Sequence, residues 1–411
     1  MNSFKTFFTM KRLFLLLMMF VLCRANAQTA IYTIKHDGID REYVLFVPQN
    51  YNNTPTPLMF VLHGMNQDIR SWCNMFDFQT LADSSNFIIV LPQAMEDSAT
   101  FPMVGVYHLG PVWNTGISID TSIFSFPIKF TPGEHTDDVG FLFNLVDTIK
   151  AGFNIDNRKV CFAGFSLGAF MCQRLAMEQT SKTISYIASV SGTLAKSFNN
   201  QTPHVPVSVL HIHGTADEIV NYNTGNLTFT YNNFNLDVSV GLSAPNLVNF
   251  WVVNDYCGRT PKQSSYPNTC EDGITFERYD YSNGSSGNKV SFIVANQGQH
   301  AWYEKPDNDI DYFEEIFAFI NDSGMPTAIS EAAQEDIFVY PNPVRDKIYV
   351  HGDNIDKVEL FNSLGQCQQQ TSASGQDLIL TDLQAFPAGI YLLKVTCRNG
   401  KIITKKISLT K

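Results

Sequence analysis

The chain has 411 residues, enough for one full core and a smaller second unit, and 44% of them are hydrophobic against 16% charged, which excludes a largely disordered polymer. Its formal charge of −11 comes without a Lys/Arg-rich run, so no nucleic-acid partner is expected.

In chain order, the first feature is an address. Lys11 and Arg12 precede an apolar run from Leu13 to Cys23, and Ala25-Asn26-Ala27 has the small-x-small form cut by signal peptidase, so residues 1–27 are expected to be a signal peptide. The run is too short to span a bilayer, and bulky Leu22 before Cys23 disfavours a lipoprotein anchor. No other segment reads as transmembrane. Removing the signal leaves seven of the eight cysteines in a compartment where disulfides persist. Cys257 and Cys270, in a polar stretch containing Pro and Ser, are the expected pair, a closure worth on the order of 3 kcal/mol. Cys161 and Cys172 sit in apolar surroundings and read as buried free thiols.

From residue 28 to residue 322, short β-branched runs alternate with helical patterns, the signature of a mostly parallel sheet flanked by helices, an α/β fold. The strand candidates are Ile31 to Ile34, Tyr43 to Val47, Leu58 to Leu62, Phe87 to Leu91, Val160 to Ala163, Val207 to Ile212 and Val290 to Val294. Asp137 to Phe153 reads as a helix with Leu142, Leu145, Val146 and Ile149 on one face, its paired acids at the positive end of the dipole. Phe313, Ile316, Phe317 and Ile320 mark a final helix. Met95 to Glu134 shows neither period but is rich in aromatics, which predicts an ordered lid or pocket wall of irregular structure. Residues 323–335 read as a linker. Residues 336–411 read as a small all-β sandwich, with strands at Ile348 to Val350, Val358 to Phe361, Ile390 to Val395 and Ile402 to Leu409, the last two joined across Asn399-Gly400.

The chemistry centres on Gly164-Phe165-Ser166-Leu167-Gly168, which follows a strand candidate and opens a helical pattern. A serine between two glycines fits a sharp strand-to-helix turn that exposes the hydroxyl, because a Cβ at either glycine would crowd it. A hydroxyl needs a base to take its proton and a carboxylate to orient that base, in the chain order Ser, acid, His. Of nine histidines, five follow Ser166. His351 belongs to the terminal unit, and His204, His211 and His213 precede or build the strand that presents the acid. His300 remains. The loop after Val207 to Ile212 offers Asp217, with Glu218 as the competing acid. Oxyanion donors are expected at the backbone N–H groups of Leu167 and Met65, the latter in the His63-Gly64-Met65 loop. His63 reads as a residue that shapes the loop, since it precedes the serine. His211-x-His213 could bind a metal, but no cluster completes a site, and satisfied strand-end histidines are the expectation. No cofactor and no metal are expected. Trp72, Trp113 and Trp302, with Asn114, are candidate walls of a substrate pocket suited to an aromatic acyl group.

These residues carry a family resemblance. His63-Gly64, Trp113-Asn114, Asp137-Asp138-Val139-Gly140-Phe141, the Val160 to Leu175 segment, His213-Gly214-Thr215-Ala216-Asp217 and His300-Ala301-Trp302 resemble the polyhydroxybutyrate depolymerase and feruloyl or acetylxylan esterase group of α/β-hydrolases. The resemblance implies hydrolysis of carboxylic esters through an acyl-enzyme, with Cys257 and Cys270 where that group often has a bridge. The group commonly has Asn-Gly-Gly after its serine and Gly before its histidine; here Leu167-Gly168-Ala169 and Gln299 stand there. The C-terminal unit, with Val339-Tyr340-Pro341-Asn342-Pro343 and Gly389 to Val395, is similar to type IX secretion sorting domains, which implies the type IX machinery as partner and an extracellular or cell-surface location. A carbohydrate-binding module is the competing reading of that unit. The expected substrate is a feruloyl or acetyl ester on a plant polysaccharide, with a polyester next and a serine peptidase or a noncatalytic binding protein on the same scaffold as further alternatives.

Overall fold

A computed structural model describes residues 30–410 apart from 102–104, 121–128, 232–233, 285–286, 322–337, 341–342, 352–354, 363–364, 373–376 and 399–401. The signal peptide, the linker and the Asn399-Gly400 turn therefore lie outside the described residues.

Ten strands build the main sheet: β1 (Ile31–His36), β2 (Ile39–Phe46), β3 (Thr56–Leu62), β4 (Ile88–Pro92), β5 (Ile155–Phe165), β6 (Tyr186–Val190), β7 (Ser208–Gly214), β8 (Lys262–Ser265), β9 (Thr275–Tyr281) and β10 (Val290–Asn296). Their spatial order is β1-β2-β4-β3-β5-β6-β7-β10-β9-β8. The run from β4 through β3, β5, β6 and β7 to β10 is parallel, and the strands outside it pair antiparallel.

Because strand side chains alternate between faces, a strand in the middle of a sheet covered on both sides buries apolar residues in both directions. In β3, Leu58, Phe60 and Leu62 enter one core and Met59 and Val61 the other. The first core is covered by helices α3 (Asp138–Gly152), α4 (Leu167–Glu178) and α5 (Ala244–Asn254), and the second by α1 (Ile69–Met75), α2 (Phe78–Ser85) and α6 (Tyr312–Asn321). This is the α/β-hydrolase arrangement. Asp137 caps α3 by accepting the Gly140 N–H at 2.9 Å, which satisfies one orphan donor of the first turn.

The expectation for Met95 to Glu134 is corrected. Met95–Phe101 and Gly105–Val112 form an antiparallel pair, and Ile119–Asp120 pairs with Lys129–Phe130. The glycines and β-bulge near Asp97 and Ser98 hide the two-residue period. At the C-terminal end, a three-stranded sheet (Phe338–Tyr340, Ile348–His351, Asp377–Leu380) and a four-stranded one (Ile355–Phe361, Cys367–Ser372, Gly389–Cys397, Ile402–Leu409) share a core. Ile348, Val350 and Leu380 come from the first; Val358, Leu360, Leu393, Val395 and Ile407 from the second. It is a small antiparallel sandwich.

Candidate active site

At the end of β5 the backbone turns sharply into α4. Ser166 takes φ 53° and ψ −118°, a strained conformation for a residue with a Cβ. Its neighbours hold it there: the Ser166 N–H donates to the Val190 carbonyl at the end of β6 at 2.9 Å, and its carbonyl accepts the Ala169 N–H at 2.9 Å. The flanking glycines are obligatory for packing. A Cβ on Gly164 would meet the Gly168 carbonyl, and one on Gly168 would meet the Leu62 carbonyl at the end of β3.

Close approach to β3 brings in the next loop. A Cβ on Gly64 would lie 3.2 Å from that of Ser166, so the His63-Gly64-Met65 backbone runs beside the serine. The Gly64 N–H is taken by Gln67 Oε1 at 2.8 Å, whereas the Met65 N–H has no acceptor among the described residues. Leu167 is the first residue of α4, where an N–H has no intrahelical partner. His63 is buried, its Nδ1 on the Gly64 carbonyl at 2.8 Å and its Nε2 accepting the Ala94 N–H at 3.1 Å. Burial lowers its pKa to about 4, so it is neutral and shapes the loop.

The loops after β7 and β10 are zipped together. Thr215 and Ala216 donate backbone N–H groups to Ala295 and Gly298, each at 2.9 Å, and Thr215 Oγ1 accepts the Gln297 N–H at 2.8 Å. This brings Asp217 to His300: Asp217 Oδ2 lies 2.8 Å from His300 Nδ1. Glu218 points to solvent. The His300 ring packs on Phe165, the residue before the serine, with centroids 4.9 Å apart. Burial pushes the Asp217 carboxyl up, but hydrogen bonds from His213 and His300 outweigh it and hold the carboxyl far below the usual range. It is an anion that fixes the His300 tautomer with hydrogen on Nδ1, leaving Nε2 free to accept a proton.

The candidate pocket residues separate. Trp72 and Trp302 meet edge to face at 5.6 Å within a cluster that includes Phe76 and Phe165, and Trp302 keeps partial exposure while Trp72 is buried. Trp113 belongs to the opposite core and is fully buried. Its indole N–H donates to the His63 carbonyl at 2.9 Å, so it braces the loop beside the serine and lines no open pocket. Asn114 is likewise scaffold: its Oδ1 accepts from Arg174 at 2.7 Å, its amide donates to the Thr136 carbonyl at 2.9 Å and its backbone N–H to Asp138 at 2.7 Å. The expectation of a Cys257–Cys270 bridge is also corrected. Both are free thiols: Cys257 follows α5 and its Sγ faces the Asn288 carbonyl at 3.8 Å, while Cys270 Sγ faces that of Pro306 at 3.7 Å. Cys161 and Cys172 are buried free thiols.

What sequence reasoning did not reach is the lining behind Asp217. His213 Nε2 lies 3.3 Å from Asp217 Oδ2, and His213 Nδ1 lies 3.2 Å from His211 Nε2. The pair is satisfied within the protein, and its H-x-H spacing was the only signal in the sequence.

Comparison with known proteins places two segments. Residues 47–240 match the family described as phospholipase/carboxylesterase, and residues 338–410 match the secretion system C-terminal sorting domain. The chain is 27% identical over 188 residues to a bifunctional acetylxylan esterase/xylanase of Neocallimastix patriciarum, covering 46% of this chain and 23% of that protein. It is 26% identical over 204 residues to feruloyl esterase D of Neurospora crassa, covering 49% and 60%. It thus spans less than two thirds of either relative. Among solved structures, the acetyl xylan esterase from Aspergillus awamori aligns with a TM-score of 0.45 at 14% identity, over 71% of this chain and 99% of that one.

Proposed function

We propose that this chain, phospholipase/carboxylesterase in family over residues 47–240 and a secretion-system sorting domain over 338–410, is an exported serine esterase acting on feruloyl or acetyl esters of plant polysaccharides. The observation that carries the reading is the 2.8 Å contact between His300 Nδ1 and Asp217 Oδ2 beside a serine held at positive φ. Ser166 Oγ attacks the ester carbonyl carbon as its proton passes to His300 Nε2. The Met65 and Leu167 N–H groups receive the oxyanion, and such donors act without reorganisation. Collapse of the tetrahedral adduct breaks the bond to the alcohol oxygen, which takes the proton from His300. The acyl group stays on Ser166 until water, deprotonated by His300, releases the acid and restores the serine.

The polysaccharide assignment is supported by the relatives, a xylan-directed acetyl esterase and a feruloyl esterase, and by type IX export, which delivers the enzyme to polymers outside the cell. The test is hydrolysis of p-nitrophenyl acetate, methyl ferulate, acetylated xylan and a hydroxybutyrate oligomer by the purified protein and by Ser166→Ala. Serine-dependent turnover of ferulate or acetylxylan is expected. Preference for the oligomer would reassign the substrate to a polyester, and a folded protein inert on all four would defeat the esterase reading.

A further inference from the structure

The carboxylate of Asp217 is held from more sides than an orienting acid needs. Its Oδ1 accepts the backbone N–H groups of Ile219 at 2.9 Å and Val220 at 2.8 Å. Its Oδ2 faces His213 Nε2 as well as His300 Nδ1. Behind His213 runs a continuous buried series: His213 Nδ1 to His211 Nε2 at 3.2 Å, His211 Nδ1 to Ser189 Oγ at 2.9 Å, Ser189 Oγ to Gln173 Nε2 at 2.9 Å, and Gln173 Oε1 to Trp251 Nε1 at 2.6 Å. Trp251, Gln173, Ser189 and His211 are wholly inaccessible to solvent, and His213 and Asp217 nearly so. They come from α5, α4, β6, β7 and the loop after β7.

The ends of this series fix its direction. An indole N–H can only donate, and an ionised carboxylate can only accept. Gln173 must therefore accept from Trp251 with its carbonyl and give its amide hydrogen to Ser189. Because Asp217 and the Val220 carbonyl require the His213 hydrogen on Nε2, His213 Nδ1 accepts Nε2–H from His211, and at His211 Nδ1 the Ser189 hydroxyl, 2.9 Å away, donates in preference to a bond to the Ser189 carbonyl at 3.1 Å. The hydrogen on His213 Nε2 faces both Asp217 Oδ2 and the Val220 carbonyl, the latter at 2.8 Å. Burial and the neighbouring His213 hold the His211 pKa well below its usual value, which keeps that ring neutral with one hydrogen to pass on.

We propose that His213 is a positioning residue for the reaction, and that Trp251, Gln173, Ser189 and His211 form a one-way hydrogen-bond chain that fixes its Nε2–H on the Asp217 carboxylate. With both oxygens occupied, the carboxylate keeps one rotamer and its charge, and His300 keeps its orientation. The inference rests on the reading of Asp217 and His300 as acid and base. A remote consequence follows. Without the Ser189 hydroxyl, His211 Nδ1 turns donor towards the Ser189 carbonyl, 3.1 Å away. Its Nε2 is then bare, His213 must place its hydrogen on Nδ1, and a lone pair meets Asp217 and Val220.

The experiment labels histidine nitrogens and reads the tautomers of His211 and His213 by long-range proton–nitrogen correlation, alongside kcat and KM for p-nitrophenyl acetate. Nε2–H is expected at both rings in the native protein. Ser189→Ala should move His211 to Nδ1–H and lower kcat about tenfold to a hundredfold, the range for a misplaced catalytic group, with KM unchanged. His213→Leu should do the same to kcat, and His213→Gln, which keeps an N–H in reach of Asp217, should restore most of it. An Nδ1–H tautomer at either ring of the native protein, or native kcat in His213→Leu, would overturn the proposal. The tautomers are read without substrate, so expected tautomers in a protein with no Ser166-dependent hydrolysis would defeat the esterase reading and not the polarity of the chain.

Discussion

Gly214 and Gly298 lie so close that a Cβ on Gly214 would meet the Gly298 carbonyl oxygen. The first closes β7 and the second precedes His300 by two residues, so this contact sets the spacing between the loop that carries Asp217 and the loop that carries His300. Gly214→Ala is therefore expected to push the loops apart. A displacement near 1 Å lowers turnover by about a hundredfold. Steady-state kinetics should show the loss in kcat with the fold retained by circular dichroism; unchanged kcat would show that the loops tolerate the shift.

The two neighbouring acids separate in the same assay. Asp217 is buried on His300, and Glu218 faces solvent. Asp217→Asn should lower kcat by roughly four orders of magnitude, as expected when the base is left in the wrong tautomer, while Glu218→Ala stays within about twofold. An inactive Glu218→Ala with an active Asp217→Ala would reassign the acid.

At the first turn of α3, against β2, lies a buried ion pair. Arg41 and Asp138, both about 1% exposed, meet at 2.6 Å, and the guanidinium carbon stands 3.8 Å from the centroid of the Phe141 ring. Asp138→Ala leaves that cation uncompensated and frees the Asn114 N–H, so a loss of about 3–5 kcal/mol is expected. Urea denaturation measures it. A loss below about 1 kcal/mol, the surface range, would mean that water reaches the site.

Asp255, at the end of α5, carries a carboxyl whose pKa burial pushes up to about 7. A raised carboxyl favours the folded state while it stays protonated. Its contribution is full below the unfolded value near 4 and is lost as pH rises to 7. Asp255→Asn, free of that charge, should equal the native protein in stability at pH 4 and exceed it at pH 8, by on the order of a few kcal/mol. Equal stability at pH 8 would mean that the carboxyl ionises without penalty in the fold.

Much of this architecture was legible in the sequence because central strands such as β3 and β4 send apolar residues into both cores. The seven strand candidates coincide with β1 to β5, β7 and β10. Strand β9 was not legible, since Glu277, Arg278 and Asp280 occupy it. The inward Arg278 is neutralised by Asp280 on the same strand and by Glu315 of α6, each at 2.9 Å, and the second partner is one that only the fold supplies. Helix α5 was missed beside it, although Ser243 caps it and Leu247, Val248, Trp251 and Val252 share its buried side. The turn at Ser166 and the loops that carry Asp217 and His300 were legible as positions because each follows a strand with its glycine in place. The fate of Trp113 and Asn114 was not, because burial of an aromatic cannot be told from exposure in a pocket by residue type alone. Nor was the hydrogen-bond series behind Asp217, whose members are scattered from Gln173 to Trp251 and gather only when α4, α5, β6 and β7 pack.

The central claim is that Ser166 is the nucleophile of an acyl-transfer site. The most direct measurement is the intact mass of the protein after exposure to a fluorophosphonate, followed by peptide mapping. One adduct is expected, on the peptide carrying Ser166, absent in Ser166→Ala and formed far more slowly in His300→Ala. A folded protein that takes no adduct, or takes it at another residue, would contradict the account.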